Sequence, residues 1–548
     1  MAKQIIYDSD AKEKILAGVN KLEKAVSCTL GPCGKNVIID EYGSVHSTKD
    51  GVSIAKVISL KDPFEHLGAS AIKEAAQKSN DKVGDGTTTS TLLAASIYRN
   101  GLTYVNVGAN ATQVKNGIKK AANFTADIVK SHSKKISTRD DIERVATVSA
   151  NGDKSIGSII ADVMDKIGND GTIKVEDGNT SDITSKIVKG MVIDQSYASP
   201  YMVTNQETME AELENPCILV CSKKLANIQE MVPALNSVAA TGRPILIIAD
   251  DFADDILGTM IFNRMKSGFV SVAVKSPSYG DNRKQMLEDI AILCGGRVVS
   301  DETGTKIENA TLDSGIIGQA KRVVVTKEST MIIDGFGAKE AIEARAEALR
   351  KQIADNENDE FAAGKLRERL ARLTSGIGVI SVGAITKAEQ KELRDRVDDA
   401  FSAAKAALRE GIVAGGGSAL LFAKQALEEE ISKQETVKLD GDEILGAKIL
   451  CRALEAPVRK ILDNAGIDAS LVVGKLLENK TSESYGYNVL TKQYVDMVED
   501  GVIDPTEVVV NEVQNAASVA GLLLTTECLI CEEPKKEQHS CQAQMPMM

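Results

Sequence analysis

The most distinctive chemistry in this sequence lies in residues 84–91, GDGTTTST. Two glycines allow close approach of the backbone, a run of hydroxyl side chains follows, and a helical pattern continues from Leu92. The first turn of a helix carries unpaired N–H groups and a partial positive charge, which suit a phosphate group, and Asp85 could hold Mg²⁺. The segment is not a Walker A loop, because the Gly-Lys-Ser/Thr ending is missing. A phosphate site and an ordinary helix cap therefore both remain open.

Three further segments combine turn residues with groups that suit a nucleotide. Gly415-Gly416-Gly417-Ser418 leads into a helical run, and its cost in backbone entropy indicates a close approach by a nucleotide or by a packed helix. Thr29-Leu30-Gly31-Pro32 ends a helical pattern and by itself indicates a turn. Thr48-Lys49-Asp50-Gly51 pairs a cation with a carboxylate, although Asp-Gly is also a common turn signal. Asp399 lies in a predicted helix, where a lone carboxylate is ordinarily solvated.

The nine cysteines do not indicate a metal site or a disulfide framework. Their odd number, scattered through a long chain without a secretion signal, favours free thiols. Cys528 and Cys531 have CxxC spacing, but they lie in an apolar, β-branched run, where positions i and i+3 face opposite sides of a strand. With only four histidines and no second cysteine pair at ligand spacing, no zinc site is predicted.

The elements that must position these residues form three stretches, which are α-rich, then α/β, then α-rich. Apolar periodicity predicts a helix ahead of Gly31-Pro32, with Ile15, Leu16, Val19, Leu22 and Val26 on one face. In the rest of the first stretch, the patterns predict short β-type runs at 36–40 and around 53–60 and long helices within 64–165. In the α/β stretch they predict strands at 217–221, 245–249, 269–274 and 323–325 and helices at 252–266, 282–294, 338–354 and 359–373. From 385 to about 525 they predict mostly helix.

Composition narrows the class of protein. The chain has 548 residues, 43% of them hydrophobic and 26% charged, which is ordinary for a globular protein of several domains. Its 65 basic and 78 acidic residues give a net charge of −13, which argues against a nucleic-acid partner. There is no run of about 20 apolar residues to span a membrane, and the first residues lack the pattern of a signal or transit peptide, so a cytoplasmic location is predicted.

Taken in order, these segments resemble the group I chaperonins, the GroEL family, from about residue 3 to residue 531. The motifs that carry the resemblance stand at the spacing of that family: Thr29-Leu30-Gly31-Pro32, TKDGVS at 48–53, GDGTTT at 84–89, Ser199-Pro200-Tyr201, GDNRK at 280–284, AGGG at 414–417, Tyr485-Gly486-Tyr487-Asn488, Asp504-Pro505-Thr506 and AASVAG at 516–521. One such motif would be weak evidence, whereas the ordered set is specific for the fold.

The resemblance implies a multidomain α/β protein with the GroEL-like chaperonin fold. A mostly α-helical equatorial ATPase domain would join residues 1–133 to 410–531, and a small intermediate hinge domain would join 134–188 to 378–409. Residues 189–377 would form an α/β apical domain, in agreement with the α/β stretch, and 532–548 would be a disordered tail. The family assembles as two stacked rings of seven subunits and folds other proteins in an ATP-driven cavity capped by a small co-chaperonin.

Carried over position by position, the resemblance also implies the site residues. Asp399 would orient or deprotonate the attacking water, and Asp50 would lie near the terminal phosphate. Asp85 would ligate Mg²⁺, and the backbone oxygens of Thr29 and Lys49 would help to hold K⁺. The nucleotide would be bound by Thr29, Leu30, Gly31, Pro32, Lys49, Asp85, Gly86, Thr87, Thr88, Thr89, Gly416, Asn488 and Asp504. Non-native polypeptides would bind to Tyr197, Ser199, Tyr201, Met202, Val232, Leu235, Leu257, Ile261 and Phe262.

Several positions depart from the pattern of the family. Cys33 replaces a basic residue, Val489 and Leu490 replace paired alanines beside the adenine position, and the tail lacks Gly-Gly-Met repeats. Lys135 stands where a hinge proline is frequent, and Gln195 and Lys387 occupy the positions of an inter-subunit Arg–Glu pair. An ATP-hydrolysing chaperonin is the leading interpretation. A divergent paralogue that binds proteins with a weak or absent ATPase cycle is the alternative, and a small-molecule phosphotransferase is a third.

Overall fold

The computed structural model of the protein describes residues 3–41, 44–150, 152–168, 172–178, 182–206, 208–278, 280–302, 304–355, 360–374, 376–478 and 482–532. Residue contacts divide them into two units: a first unit within 1–162, 177–183 and 382–548, and a second unit within 163–176 and 184–381. Of the predicted tail, 533–548 lies outside the described residues. Glu532 ends a strand, so the tail boundary at 532 is wrong by one residue.

The N-terminal part of the first unit contains β1 (Lys3–Tyr7), α1 (Asp8–Ser27), β2 (Val37–Glu41), β3 (Ser44–Thr48), α2 (Gly51–Val57), α3 (Pro63–Val83), α4 (Thr87–Val105), α5 (Ala111–Ser131), α6 (Arg139–Ser149) and α7 (Lys154–Ile167), whose last residues belong to the second unit. The predicted face of α1 is confirmed, because Ile15, Val19, Leu22 and Val26 are all buried. This face joins the main core of the first unit, together with apolar residues of α3, α4 and α5.

The second unit contains β4 (Thr172–Asp177), β5 (Thr184–Ile193), β6 (Ala211–Glu214), β7 (Cys217–Val220), β8 (Lys224–Leu225), α8 (Ile228–Ala239), β9 (Ile245–Ala249), β10 (Asp251–Phe252), α9 (Asp254–Ser267), β11 (Ser271–Lys275), α10 (Gly280–Cys294), β12 (Gly318–Val325), β13 (Thr330–Gly335), α11 (Lys339–Asp355), α12 (Glu360–Thr374) and β14 (Gly376–Val382). Nine of its strands form one mixed sheet in the order β11-β9-β7-β12-β13-β5-β14-β4, with β6 paired to β12. The strands β7, β9 and β11 are parallel, as their alternation with helices predicts.

The C-terminal part of the first unit contains α13 (Lys387–Glu410), β15 (Ile412–Ala414), α14 (Ser418–Lys433), α15 (Glu443–Ala453), α16 (Ala456–Asn464), α17 (Ala469–Glu478), β16 (Tyr485–Asn488), β17 (Gln493–Asp496), β18 (Ile503–Pro505), α18 (Thr506–Leu524) and β19 (Cys528–Glu532). The strand β19 pairs with β1, so the two ends of the described chain meet in one antiparallel ladder. The helix α18 packs against α3, α4 and α5 and is buried along most of its length.

One predicted element is wrong. The β-type run expected around 53–60 is the helix α2, because the Asp50 carboxylate caps it by accepting hydrogen bonds from the backbone N–H groups of Val52 (3.1 Å) and Ser53 (2.8 Å). Capping outweighs the β propensity of Val52, Ile54 and Val57, which is a weak preference that context overrides.

The predicted apolar strands and charged helices of the α/β stretch are confirmed within a few residues at each end. The eight described cysteines are free thiols, and the described residues contain no group of three or more His, Cys, Asp or Glu side chains that could hold a metal ion by themselves. Among the described helices, none is both long and apolar enough to cross a membrane.

Candidate functional site

An open cavity of about 350 Å³ lies in the first unit. Its walls come from segments far apart in the chain, including the turn after α1, the turn between β3 and α2, the start of α4, the middle of α13 and the strands β16 and β18. Every position that the sequence predicts for nucleotide, metal or catalysis lines this one cavity: Thr29, Leu30, Gly31, Pro32, Lys49, Asp50, Asp85, Gly86, Thr87, Thr88, Thr89, Asp399, Gly416, Asn488 and Asp504. The fold therefore gathers the residues that the sequence analysis selected, and their individual roles stay predictions.

The start of α4 forms one wall of the cavity. Gly86 precedes the helix with φ +77°, a left-handed conformation that glycine adopts without strain, and it provides no side-chain cap for the first turn. A Cβ atom at Gly86 would lie 2.6 Å from Oε1 of Glu512 and 2.8 Å from Cγ1 of Val508. The first-turn N–H groups beside Thr87 and Thr88 thus lie at the cavity wall without a cap from residue 86, in an arrangement that suits an anion.

The turn between β3 and α2 lies against this wall. The backbone N–H of Asp50 donates to Oγ1 of Thr48 at 3.0 Å, which fixes the turn. A Cβ atom at Gly51 would lie only 2.3 Å from Oγ1 of Thr88, so a glycine is needed for α2 to begin this close to α4. Lys49 and Asp50 consequently line the cavity beside the hydroxyl-rich first turn.

Asp85 and Asp399 reach the cavity from different elements. One oxygen of Asp85 accepts the N–H of Gly86 at 2.6 Å, and the other accepts the hydroxyl of Ser149 at 3.3 Å. Burial, with a smaller contribution from the Asp50 carboxylate, raises the pKa of Asp85. Asp399 lies on α13, and burial raises its pKa well above the usual range, with Asp85 and Asp50 adding to the shift.

Three further carboxyl groups line the cavity. Burial raises the pKa of Asp504, on β18, to about 7, and Asp85 adds to this shift. Asp395 lies one turn before Asp399 on α13, and burial together with Asp50 raises its pKa to about 6. Burial also raises the pKa of Glu512, on α18, well above its usual range, with Asp504 and Asp85 contributing.

The sequence analysis did not select Asp395 and Glu512, although the sequence contains a feature that points to each of them. Asp395 shares a helix face with Asp399 through its i, i+4 spacing. Glu512 is an isolated charge within the apolar run VVVNEV of α18, and an isolated charge in a buried helix indicates a specific environment. Arg396 and Glu392, also on α13, line the same cavity and were not selected either.

These carboxyl groups fit a bound cation. Lys49 and Arg396 are the Lys and Arg side chains described at the cavity wall, which also carries seven carboxyl groups. Five of the seven have pKa values raised by burial and by neighbouring carboxylates, and a divalent cation would relieve that repulsion. Because the described side chains do not form a complete metal site, such a cation would need further ligands, which phosphate oxygens can supply.

Part of the cavity wall is apolar and suits a nucleobase. Ile461, Tyr487, Val489 and Met497 line it, and Leu490 lies at its exposed margin. Side chains of this kind can pack against the face of a base, and the two residues that replace the alanines of the family are both part of this wall.

Asn488 and Gly416 also shape the cavity wall. The Asn488 carboxamide oxygen accepts the backbone N–H groups of Leu490 at 2.9 Å and Thr491 at 3.3 Å, so it stabilises the turn after β16. Gly416 has φ +65°, and a Cβ atom there would lie 3.1 Å from Cε of Met497. The glycine-rich entry to α14 is therefore both left-handed and closely packed.

The predicted client-binding residues lie in the second unit, on α8, on α9 and in residues 197–202. Tyr201 and Phe262 are exposed by 76% and 59%, whereas Met202 is only 1% exposed. Val232 and Ser199 are partly exposed, and the remaining members pack partly against the core: Tyr197, Leu235, Leu257 and Ile261. The placement of Met202 on an accessible surface is wrong, because its sulfur accepts the N–H of Ala273 inside the core.

Arg264, which the sequence analysis did not select, organises this surface. Its guanidinium group donates to the backbone oxygens of Tyr201 at 3.0 Å and Val203 at 2.7 Å. It thereby ties the short 3₁₀ turn Pro200–Met202 to α9, which carries Leu257, Ile261 and Phe262.

Comparisons with known proteins agree with this architecture. Residues 22–534 match the sequence model of the TCP-1/cpn60 chaperonin family. Among solved structures, the chain is similar to the chaperonin gp146 from the bacteriophage EL 2 (Pseudomonas aeruginosa), determined in the presence of ATP-BeFx, with a TM-score of 0.72 and 21% sequence identity. The match covers 97% of this chain and 99% of the phage protein, and at that identity it shows a shared fold.

Proposed function

This chain belongs to the TCP-1/cpn60 chaperonin family, and on that premise we propose that it is an ATP-dependent chaperonin. In this proposal the protein captures non-native polypeptides on apolar surfaces of its second unit and uses ATP hydrolysis in its first unit to assist their folding. The proposed domain boundaries are those predicted from the sequence: equatorial 1–133 and 410–531, intermediate 134–188 and 378–409, and apical 189–377.

One observation carries the nucleotide part of the proposal. The cavity of the first unit is lined by all fifteen predicted positions, which come from segments spread over more than 450 residues of sequence. Its lining includes the uncapped start of α4, which suits phosphates, and apolar side chains, which suit a base. A structural role alone would not require hydroxyl groups, glycines and carboxylates to converge on one open cavity.

In this proposal, different residues of the chain bind different parts of ATP and its cations. The backbone at Gly31, the N–H groups of the first turn of α4 and the side chain of Lys49 would bind and orient the phosphates. Asp85 would bind Mg²⁺, and backbone oxygens of Thr29 and Lys49 would bind K⁺. When bound, these cations would neutralise charge on the triphosphate.

Asp399 would accept the proton of the attacking water. Its position on α13, among buried carboxyl groups, raises its pKa and so makes it a stronger base than a solvated aspartate once it is ionised. Asp50 would lie near the terminal phosphate, where its capping hydrogen bonds to α2 hold it in place. Removing the proton as the water attacks is worth about 10²–10⁴-fold in rate.

The partners belong to the same proposal. Non-native polypeptides would contact the exposed aromatic rings of Tyr201 and Phe262 and the partly exposed side chains of α8 and α9. A ring of identical subunits would repeat this surface and bind one client at several points. Two stacked seven-membered rings, a small co-chaperonin lid and a cytoplasmic location are proposed by analogy with the group I family.

Client capture provides the test of the whole function. A chemically denatured reporter enzyme is diluted into buffer with the purified protein, and aggregation is followed by light scattering. We expect the protein to suppress scattering, and we expect ATP with Mg²⁺ and K⁺ to release the reporter from the complex on size-exclusion chromatography. Suppression that ATP does not alter would support the paralogue that binds proteins without a working cycle. Failure to suppress scattering would contradict the chaperonin proposal.

A further inference from the structure

Glu512 lies on α18 where that helix faces the cavity. Its side chain is almost fully withdrawn from solvent, with 6% of the residue exposed. Its neighbours on α18 are apolar and buried, among them Val508, Val509 and Val513. The resemblance to the chaperonin family assigned no role to this position, yet the residue lines the cavity with the predicted nucleotide set.

Two contacts connect Glu512 to the start of α4. The hydroxyl of Thr89 lies beside the Glu512 carboxyl group and favours its ionised form. The Oε1 and Cγ atoms of Glu512 lie 2.6 and 2.9 Å from the point that a Cβ atom of Gly86 would occupy. Glu512 therefore supports both the residue that precedes α4 and the third residue of its first turn.

In these surroundings, a glutamate with a purely structural role would cost folding free energy. The carboxylates of Asp504 and Asp85 lie close enough to destabilise a charge on Glu512, and burial of an acidic group has a cost of its own. A neutral side chain of similar volume would fill the same space in this apolar stretch without either cost. The chain nevertheless places a carboxyl group at this point, beside a hydroxyl of the predicted phosphate-binding turn.

We propose that Glu512 is a positioning residue for ATP binding, acting by orienting the Thr89 hydroxyl and supporting the backbone at Gly86. The inference rests on the proposed ATP-binding function of the cavity. Because α18 packs along α4 and is buried over most of its length, it is a rigid support for such a contact. A turn held in its binding geometry before the ligand arrives loses less entropy on binding.

The test compares two replacements of Glu512 that differ in hydrogen bonding. Glu512→Gln keeps an acceptor for Thr89 and removes the acid, and Glu512→Met keeps the approximate volume and removes the acceptor. Steady-state ATP hydrolysis is measured over a range of ATP concentrations. We expect Glu512→Met to raise KM for ATP about tenfold with kcat within about threefold of the parent, as for loss of one hydrogen bond used in binding. We expect Glu512→Gln to stay within about threefold in KM.

A double-mutant cycle then tests the route through Thr89. If Glu512 acts by orienting that hydroxyl, Glu512→Met should have little further effect on KM in a Thr89→Ala background. The matched control is Glu430→Met, since Glu430 is another buried glutamate of the first unit and accepts the N–H groups of Thr436 and Val437 away from the cavity. Its KM for ATP should equal that of the parent, provided that the melting curve shows a folded protein.

Three results would overturn the inference: an unchanged KM in Glu512→Met, equal effects of Met and Gln at this position, or additive effects of the Thr89 and Glu512 changes. Equal effects would show that the charge matters and the hydrogen bond does not. If the parent binds ATP without turnover, the dissociation constant from calorimetry replaces KM in the same comparisons. A parent that neither binds nor hydrolyses ATP refutes the proposed function first, and the role of Glu512 with it.

Discussion

Asp395 is expected to make the first unit less stable as the pH rises. It lies on α13 and lines the cavity of the first unit, and burial, with repulsion from Asp50, raises its pKa to about 6 from the ordinary value of 3.8. Because the folded-state pKa is the higher one, the protonated form is favoured by folding. Its contribution to stability is complete below pH 3.8 and is lost as the pH rises through 6. The difference of about 2 pKa units corresponds to about 3 kcal/mol, an upper figure because Asp395 is partly exposed.

The perturbation that tests this reasoning is Asp395→Asn, since asparagine stays neutral throughout. Relative to the parent, the variant should show a small stability difference near pH 4, a growing gain between pH 4 and 6, and up to about 3 kcal/mol at pH 7.5. Urea unfolding at several pH values, without nucleotide and at one protein concentration, measures the difference. The control is Asp127→Asn on α5, where the aspartate is exposed. A gain that is independent of pH, or that is largest below pH 4, would refute the reasoning.

Further substitutions separate packing from binding. Gly86→Ala should cost about 1–3 kcal/mol and weaken ATP binding, because its Cβ would meet buried atoms at positive φ. By contrast, Gly474→Ala in α17, where a Cβ meets nothing, should be neutral or stabilising in the same melting assay. Tyr201→Ser with Phe262→Ser should weaken capture of a denatured reporter about tenfold, since two exposed rings are lost, while ATP hydrolysis without client stays unchanged. Met202→Ala should lower the unfolding free energy by about 2–5 kcal/mol through a core cavity, and a normal melting curve with reduced capture would contradict that placement.

Much of the fold could be predicted from periodicity and caps. The buried face of α1 follows from apolar spacing, and the parallel strands β7, β9 and β11 follow from apolar runs that alternate with helices. The error at α2 arose because local β propensity was weighed without the cap that Asp50 provides. A strong cap at Asp-Gly is visible in the sequence, but its choice between a turn and a helix start depends on packing against α4.

The sequence indicated many of the residues that line the cavity, but it did not indicate the burial and mutual repulsion of the carboxyl groups there. The ordered motifs selected fifteen positions that all line the cavity, because a close backbone approach demands glycine and a phosphate site would demand hydroxyl and free N–H groups. Asp395 and Glu512 were missed because no short motif contains them, and only the fold brings them beside Asp50 and Asp85. The burial of Met202 could not be predicted either, since its neighbour Tyr201 in the same short turn is exposed.

Phosphate release from ATP by the parent and by Asp399→Ala, with Mg²⁺ and K⁺ present, tests the central claim most directly. The parent should hydrolyse ATP steadily without any added acceptor. The variant should bind ATP in calorimetry and release phosphate about 10²–10⁴-fold more slowly, since it lacks the group that accepts the proton of water. Near-normal turnover by Asp399→Ala, or an assembled parent that releases no phosphate, would contradict the account.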